Sequence, residues 1–394
     1  AEVCSKVFKC QSGKPLTEAP NRKLVLGELY DEQGRVIDQA MAVYTRAPHT
    51  YTGEDTVEIQ CHGSPAVLAA GLTSLFHAGA RQAGPGEFTR RAFLNGQMDL
   101  TQAEAVIDLI DAETADAAAN AAGQVGGALL KKLDPIYNQL TNDLKDLCSH
   151  FHAVLDYPDE DIDAFSMNTY ENALRTAAID LDKLLQSYNR GRVLKHGIRA
   201  VIVGKPNVGK SSLLNALAGY DRVIVTDVAG TTRDTVEETV RVGRHLLRLL
   251  DTAGIRDTED KIEQMGVERA QAAAKDADLA ILVCDGSQPL TEEDERAMDA
   301  AHESIRAIAL INKADLGCVV QTSDFFFEYV VPICAKTGDG LEQFEAALDM
   351  MYDDEVPCDG SILTNARQAG AVLRALRALE TANDPVALGA QFGR

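Results

Sequence analysis

The chain has 394 residues, of which 45% are hydrophobic, and its 60 acidic residues against 38 basic ones give a net charge of −22. This length accommodates two to four domains, the acidic balance argues against a general nucleic-acid-binding surface, and the absence of an apolar run of about 18 residues means that no membrane span is expected. The eight cysteines form no C-x-x-C pair, which is typical of reduced thiols and predicts a cytoplasmic protein, or a mitochondrial one if the source is a eukaryote.

The N-terminal region, residues 1–96, is predicted to form an α+β domain. Three of its segments alternate apolar and polar residues as strands do, namely 24–30, 36–46 and 56–62. A helix is predicted from Pro65 to Ala78, because a proline opens it and Gly79 follows its end.

Helical patterns begin at Asp99. Thr101 and Glu104 have the spacing of a capping box ahead of the apolar stretch 105–110. Further helical periodicity covers about 140–155 and 170–194 and returns after Pro357. These segments predict one helical domain in two parts, 97–196 and 355–394, interrupted by a separate domain at 197–354.

The interrupting domain opens with a phosphate-binding loop. A buried strand at 198–203 leads into Gly204–Ser211, which fits G-x-x-x-x-G-K-[ST], and a helix follows from Ser212. In such a loop the backbone N–H groups and the helix N-terminus bind phosphate. Lys210 is then expected to reach the β- and γ-phosphates, and the Ser211 hydroxyl to bind Mg²⁺.

Three motifs downstream, each after an apolar run, are expected to contact the nucleotide base, the γ-phosphate and the Mg²⁺ ion. Asp251–Gly254 is expected to meet the Mg²⁺ shell and the γ-phosphate, with Thr231 and Thr232 placed earlier as switch threonines. Asn312–Asp315 supplies a carboxylate, that of Asp315, which can accept two hydrogen bonds from guanine but not from adenine. The loop Cys334–Lys336 is expected to lie behind the guanine base and contact it. The order of the motifs predicts a Ras-like G domain that binds guanine nucleotides.

Three further stretches carry a resemblance over nearly the whole chain: Tyr51–Gly63 (YTGEDTVEIQCHG), Gly84–Gly96 (GPGEFTRRAFLNG) and Asp99–Ile110 (DLTQAEAVIDLI). With the phosphate loop they resemble the tRNA modification GTPase family MnmE, also called TrmE. The resemblance implies a tetrahydrofolate-binding N-terminal domain that dimerises, and a K⁺-activated G domain inserted into a helical domain. It also implies partnership with the FAD protein MnmG (GidA). Together the two proteins of the family pair install an aminomethyl-type group at C5 of the wobble uridine of certain tRNAs.

The resemblance also assigns roles within the G domain. Glu263 corresponds to the family's glutamate, which positions the attacking water. The expected catalytic residues are therefore Glu263 and Lys210. K⁺ takes the place of an arginine finger and is expected to bind the oxygens of four residues, namely Asn207, Thr226, Val228 and Thr231. Mg²⁺ is expected at Ser211 and Thr232.

The expected GTP contacts, from the motifs and the resemblance together, are Asn207, Val208, Gly209, Lys210, Ser211, Ser212, Thr226, Asp227, Val228, Ala229, Gly230, Thr231, Thr232, Asp251, Thr252, Ala253, Gly254, Asn312, Lys313, Ala314, Asp315, Cys334, Ala335 and Lys336. The folate-binding residues are expected to be Glu58, which matches the family, and Gln97, which stands where the family often has Lys. The family's glycine-rich first strand and its C-terminal Cys-x-Gly-Lys tail have no counterpart in this sequence, so we expect a GTPase that does not by itself support tRNA modification.

Two other functions share part of these motifs. An Era-like ribosome-assembly GTPase has the same NVGKSSLLNAL and NKAD stretches, but such a protein needs an RNA-binding appendage, which the sequence does not indicate. A folate-dependent one-carbon transferase with a regulatory G domain is the second alternative. Folate co-purification and tRNA analysis of a deletion strain discriminate among the three.

Overall fold

The computed structural model describes residues 1–157, 167–220, 238–250, 273–352 and 358–382. The chain forms two compact units, one of residues 1–107 with 125–127, the other of residues 108–124 with 128–394. Among the helices of the described segments, none combines the length and the apolar character needed to cross a lipid bilayer.

The first unit is built around an antiparallel four-stranded sheet of order β1-β2-β3-β4. Its elements, in chain order, are α1 (Glu2–Val7), β1 (Phe8–Cys10), β2 (Leu24–Tyr30), β3 (Val36–Thr45), β4 (Thr56–Gln60), α2 (Pro65–His77), α3 (Glu87–Leu94) and α4 (Leu100–Ile110). One sheet face is buried: Ala40 and Ala42 share a core with Phe8, and Leu29, which pairs in register with Phe8, is buried as well. The three predicted strands are confirmed within two residues, because their alternation places one face in the core, and the predicted helix is confirmed within one residue, with Pro65 at its start.

The start of α4 differs from the prediction. The capping box predicted at Thr101 and Glu104 is wrong, since the helix already begins at Leu100. Asp99 Oδ1 instead accepts the backbone N–H of Gln102 at 3.0 Å, and Gln102 Oε1 accepts the N–H of Asp99 at 2.9 Å. The reciprocal bonds of a capping box are therefore made by Asp99 and Gln102, two residues earlier.

The second unit contains a helical part and a six-stranded sheet. The helical part consists of α5 (Ala115–Val125), α6 (Ala128–Asp156), α7 (Met167–His196) and, near the end of the chain, α11 (Ala366–Ala382). Its core contains Leu129 of α6, Leu181 and Leu184 of α7, and Val372 and Leu376 of α11. Helices on both sides of the sheet segment in the chain thus share one apolar core.

The remaining elements form the sheet and its helices. They are β5 (Ile198–Val203), α8 (Lys210–Tyr220), β6 (Glu238–Val242), β7 (His245–Leu249), β8 (Leu279–Asp285), α9 (Glu292–Ala301), β9 (Arg306–Asn312), β10 (Val330–Pro332) and α10 (Leu341–Tyr352). The strand order is β10-β9-β8-β5-β7-β6, and all pairs are parallel except β6 with β7.

Apolar cores cover both faces of this sheet. Ile202 of β5 packs into one core and Val203 into the other, and every residue of β8 is buried. A parallel sheet buried on both faces requires such continuous apolar strands. The loops after β5, β8, β9 and β10 consequently meet at one edge, where an open α/β sheet binds its ligands.

Candidate functional site

The phosphate-binding loop lies between β5 and α8. Gly209 has φ 101°, and a Cβ there would lie 2.2 Å from Asn312 Nδ2, so this position requires glycine. Asn207 adopts the left-handed conformation with φ 62°, which asparagine tolerates better than most residues. The first turn of α8 starts at Lys210, directly after the glycine, and gives the loop the positive end of a helix.

Lys210 is held inside the loop by backbone oxygens. Its ammonium donates to the carbonyl of Gly204 at 2.6 Å and to that of Lys205 at 2.8 Å. Burial lowers the pKa of Lys210. A cation enclosed by neutral carbonyls is poorly compensated, so an entering phosphate gains a favourable charge partner. Ser211 and Ser212 follow in the same turn of the helix, Ser211 half-buried and Ser212 exposed.

Asn312 ties three of the predicted motifs together. Its side chain, 3% exposed, donates from Nδ2 to the carbonyl of Val208 at 2.7 Å and accepts at Oδ1 from the N–H of Ala335 at 2.9 Å. The phosphate loop, the loop after β9 and the loop after β10 are therefore joined through one buried amide. The predicted residues of these three loops meet at one site.

Lys313 is fixed by a carboxylate that the sequence prediction did not include. Its Nζ lies 2.6 Å from Oδ2 of buried Asp285, at the end of β8. Burial opposes ionisation of Asp285, but hydrogen bonds from Lys313 and Ser287 outweigh it and lower the pKa of that carboxyl. Asp285 follows an apolar run as the other motifs do, and this position is the signal that could have found it.

The two loops expected to hold guanine lie side by side. The N–H of Ala314 donates to the carbonyl of Ile333 at 3.1 Å, and Asp315 next to it is exposed. Cys334 and Ala335 are buried, and the Cys334 carbonyl accepts the N–H of Gly338 at 2.9 Å to close a tight turn. This turn leaves Lys336 exposed. The arrangement places an exposed carboxylate beside a tight backbone turn.

An open groove of about 490 Å³ runs between α8 and the turn after β10. Ser212, Ala335 and Lys336 line it, as residues predicted to contact nucleotide, and so do Asn215, Ala216 and Thr337, which the prediction did not include. Ser212, Asn215 and Ala216 share one face of α8, because residues three and four apart lie side by side on a helix.

Several predicted residues lie outside the described part of the chain. They are Thr226, Asp227, Val228, Ala229, Gly230, Thr231, Thr232, Asp251, Thr252, Ala253, Gly254 and Glu263. Of the residues predicted to bind metal ions, the structure therefore describes Ser211 for Mg²⁺ and Asn207 for K⁺.

The two predicted folate-binding residues lie in the first unit. Glu58 is exposed on β4, where it pairs in register with Val43. Gln97 is exposed, and its side chain lies against Gly53, so that a Cβ at Gly53 would be 3.1 Å from Gln97 Nε2.

Comparisons with known proteins match both units. The profile of the MnmE helical domain matches residues 100–392, and that of the GTP-binding protein TrmE N-terminus matches residues 1–97. The chain is 40% identical to the tRNA modification GTPase MnmE of Streptococcus thermophilus over 98% of this chain and 84% of that protein. It is 43% identical to the protein of the same name from Aquifex aeolicus, over 87% of this chain and 74% of that protein.

A similar solved structure is that of an Era variant from Aquifex aeolicus bound to GDP and AlF4⁻. It is 27% identical, covers 41% of this chain and 58% of its own, and superposes with a TM-score of 0.28.

Proposed function

The chain belongs to the MnmE family of tRNA modification GTPases, and from this premise we propose that its phosphate loop binds GTP with Mg²⁺ and hydrolyses it to GDP and phosphate. Lys210 neutralises the β- and γ-phosphates, Ser211 and Thr232 hold the Mg²⁺, and Asp315 selects guanine. Asp251–Gly254 senses the γ-phosphate.

The observation that carries this proposal is the double hydrogen bond of Asn312. It holds Val208 of the phosphate loop and Ala335 of the base loop at fixed positions. The phosphates and the base of one nucleotide need binding groups at a fixed separation. The buried amide of Asn312 joins the two loops and thereby fixes the distance between them. The exposed carboxylate of Asp315 beside the base loop adds the selectivity for guanine.

A binding experiment tests the proposal directly. The affinities for fluorescent GDP and ADP analogues are measured in Mg²⁺, together with phosphate release from GTP and from ATP. We expect GDP to bind and GTP to be hydrolysed, with the adenine nucleotides at least about tenfold weaker, since Asp315 would lose its donors. Equal affinity for both bases would refute the role of Asp315.

We further propose that K⁺ activates the hydrolysis and that Glu263 positions the attacking water. Asn207 supports this, because it lies exposed on the phosphate loop with an amide oxygen of the neutral kind that K⁺ prefers. Its proposed companions at the K⁺ are the oxygens of Thr226, Val228 and Thr231.

The substrate of the whole assembly is proposed to be tRNA in the cytoplasm. Acting with an FAD-containing MnmG partner, the chain would supply the GTP hydrolysis for addition of an aminomethyl-type group at C5 of the wobble uridine. The family membership supports this. The test is mass spectrometry of wobble nucleosides in a strain that lacks its own copy and expresses this chain. Unmodified uridine in a strain with active GTPase is the outcome expected above for residues 1–394 alone, and restored modification would contradict that expectation.

For the first unit we propose a homodimer and a tetrahydrofolate-derivative site that includes Glu58 and Gln97. Paired Leu26 and Met41 are each 43% exposed on one sheet face, and Leu24 beside them is 54% exposed. Apolar side chains clustered in this way favour a contact between proteins. Light scattering tests the dimer, and calorimetry with a reduced folate tests the site.

The match of the N-terminal profile over residues 1–97 favours this function over an Era-like ribosome-assembly GTPase. A one-carbon transferase remains the alternative that folate turnover without GTP would favour.

A further inference from the structure

A buried ion pair joins the phosphate loop to helix α9. Lys205 Nζ lies 2.7 Å from Asp294 Oδ2, and the two side chains are only 14% and 2% exposed. Lys205 is the second residue of the loop, at a position that the G-x-x-x-x-G-K-[ST] pattern leaves free. The pair lies outside every set of nucleotide contacts described above.

Asp294 depends on Lys205 for its charge compensation. The same Oδ2 atom accepts the N–H of Thr291 at 2.9 Å and its hydroxyl at 2.8 Å, and these bonds cap the helix. The other oxygen, Oδ1, is buried and has no hydrogen-bond partner among the residues that the structure describes. A buried carboxylate that loses its cation is strongly destabilising, so Lys205 is held firmly in this position.

The anchored residue is also one of the two that hold Lys210. The Lys205 carbonyl accepts the Lys210 ammonium at 2.8 Å, while its side chain reaches α9 in the other direction. Gly204, which precedes it, is packed so closely that a Cβ would lie 2.3 Å from the carbonyl oxygen of Val283 in β8. The first two residues of the loop are thus held by β8 and by α9.

We propose that Lys205 and Asp294 are positioning residues for nucleotide binding: the ion pair fixes the Lys205 backbone, whose carbonyl accepts the Lys210 ammonium. This inference rests on the proposed function, since it concerns the loop that binds the phosphates. A loop held in its binding conformation avoids the cost of ordering when the ligand binds, so affinity falls when the anchor is lost. A pair with a purely structural role would affect stability and leave affinity unchanged in any variant that regains stability.

Four variants separate these roles. Lys205→Met removes the cation and leaves Asp294 buried and unpaired, so we expect a large loss of stability. Asp294→Asn removes the charge but keeps an oxygen for the bonds from Thr291. The double variant contains neither charge and is expected to regain most of the lost stability. Lys205→Arg keeps a cation and is expected to behave close to wild type, and Lys131→Met, an exposed lysine on α6, is the matched control.

Urea unfolding and the Kd for a fluorescent GDP analogue in Mg²⁺ are measured for each. We expect the double variant to be nearly as stable as wild type but to bind GDP at least about tenfold more weakly. A double variant that regains both stability and affinity overturns the inference. If Lys205→Met does not fold, the stability and the Kd for GDP of the double variant and of Asp294→Asn still distinguish a positioning role from a purely structural one. A wild-type chain that binds no GDP would contradict the proposed function itself, whereas wild-type binding with unchanged variants contradicts only this inference.

Discussion

Replacing Asn312 by alanine tests the central contact of the site. The substitution deletes the hydrogen bonds to Val208 and from Ala335, and both of these residues are at least 95% buried. Each buried group left without a partner costs about 1–3 kcal/mol, so the two together amount to about 2–6 kcal/mol. Part of this is lost from the stability of the nucleotide-binding domain, and part from affinity, because the two loops are no longer held at a fixed separation.

The assay uses far-ultraviolet circular dichroism, since the chain has no tryptophan. Urea unfolding is recorded with and without GDP, and the transition that GDP shifts is the one that belongs to the nucleotide-binding domain. For Asn312→Ala we expect a lower midpoint for that transition and GDP affinity reduced at least about tenfold. Asn138→Ala, on an exposed position of α6, serves as the control. An Asn312→Ala protein with wild-type midpoint and affinity would refute the argument.

Four further outcomes are expected. Asp315→Asn should shift the preference from guanine to xanthine nucleotides, because the 2-oxo group of xanthine can accept from the amide; competition binding measures this. Hydrolysis should be faster in K⁺ than in Na⁺ at equal ionic strength, and Asn207→Ala should reduce that difference. Identical rates in both salts would refute the proposed K⁺ site. The Glu263→Ala variant should bind GTP normally and have a lower kcat, since a water-positioning group acts in the transition state. A wild-type rate in single-turnover kinetics would refute the role of Glu263 in hydrolysis. Brief alkylation of the native protein should label Cys148 and Cys318, which are exposed, before the buried cysteines, and peptide mass spectrometry shows the order.

The sequence predicted the parts of the fold that depend on short-range patterns. The strands 24–30 and 198–203 follow from the alternation of one and the continuous apolar run of the other, and the phosphate loop follows from its glycines. Short elements such as α1 and β1 were missed, since six and three residues are too few to show a period. At α4 the apolar pattern gave the helix correctly but placed its cap two residues late, because Asp99 and Gln102 form the same motif as Thr101 and Glu104.

The contacts that hold the site were beyond reach of the sequence for a different reason. Asn312 was predicted to contact the nucleotide, but its bonds to residues 104 and 23 positions away follow only from the strand order. Lys205 and Asp294 are 89 residues apart, and each alone resembles a solvated surface charge. Their burial arises from the packing of α9 against the loop, which no local pattern encodes.

The junction between α7 and β5 has a mechanical consequence. The helix ends at His196, the strand begins at Ile198, and Gly197 alone lies between them. A helix of 30 residues is about 45 Å long, so a swing of about 5° at this joint moves its far end by roughly 4 Å. The strand on the other side of the joint ends in the phosphate loop. A rotation of a few degrees between the strand and the helix would therefore be magnified along the helix into a displacement large enough to make or break a contact at its far end.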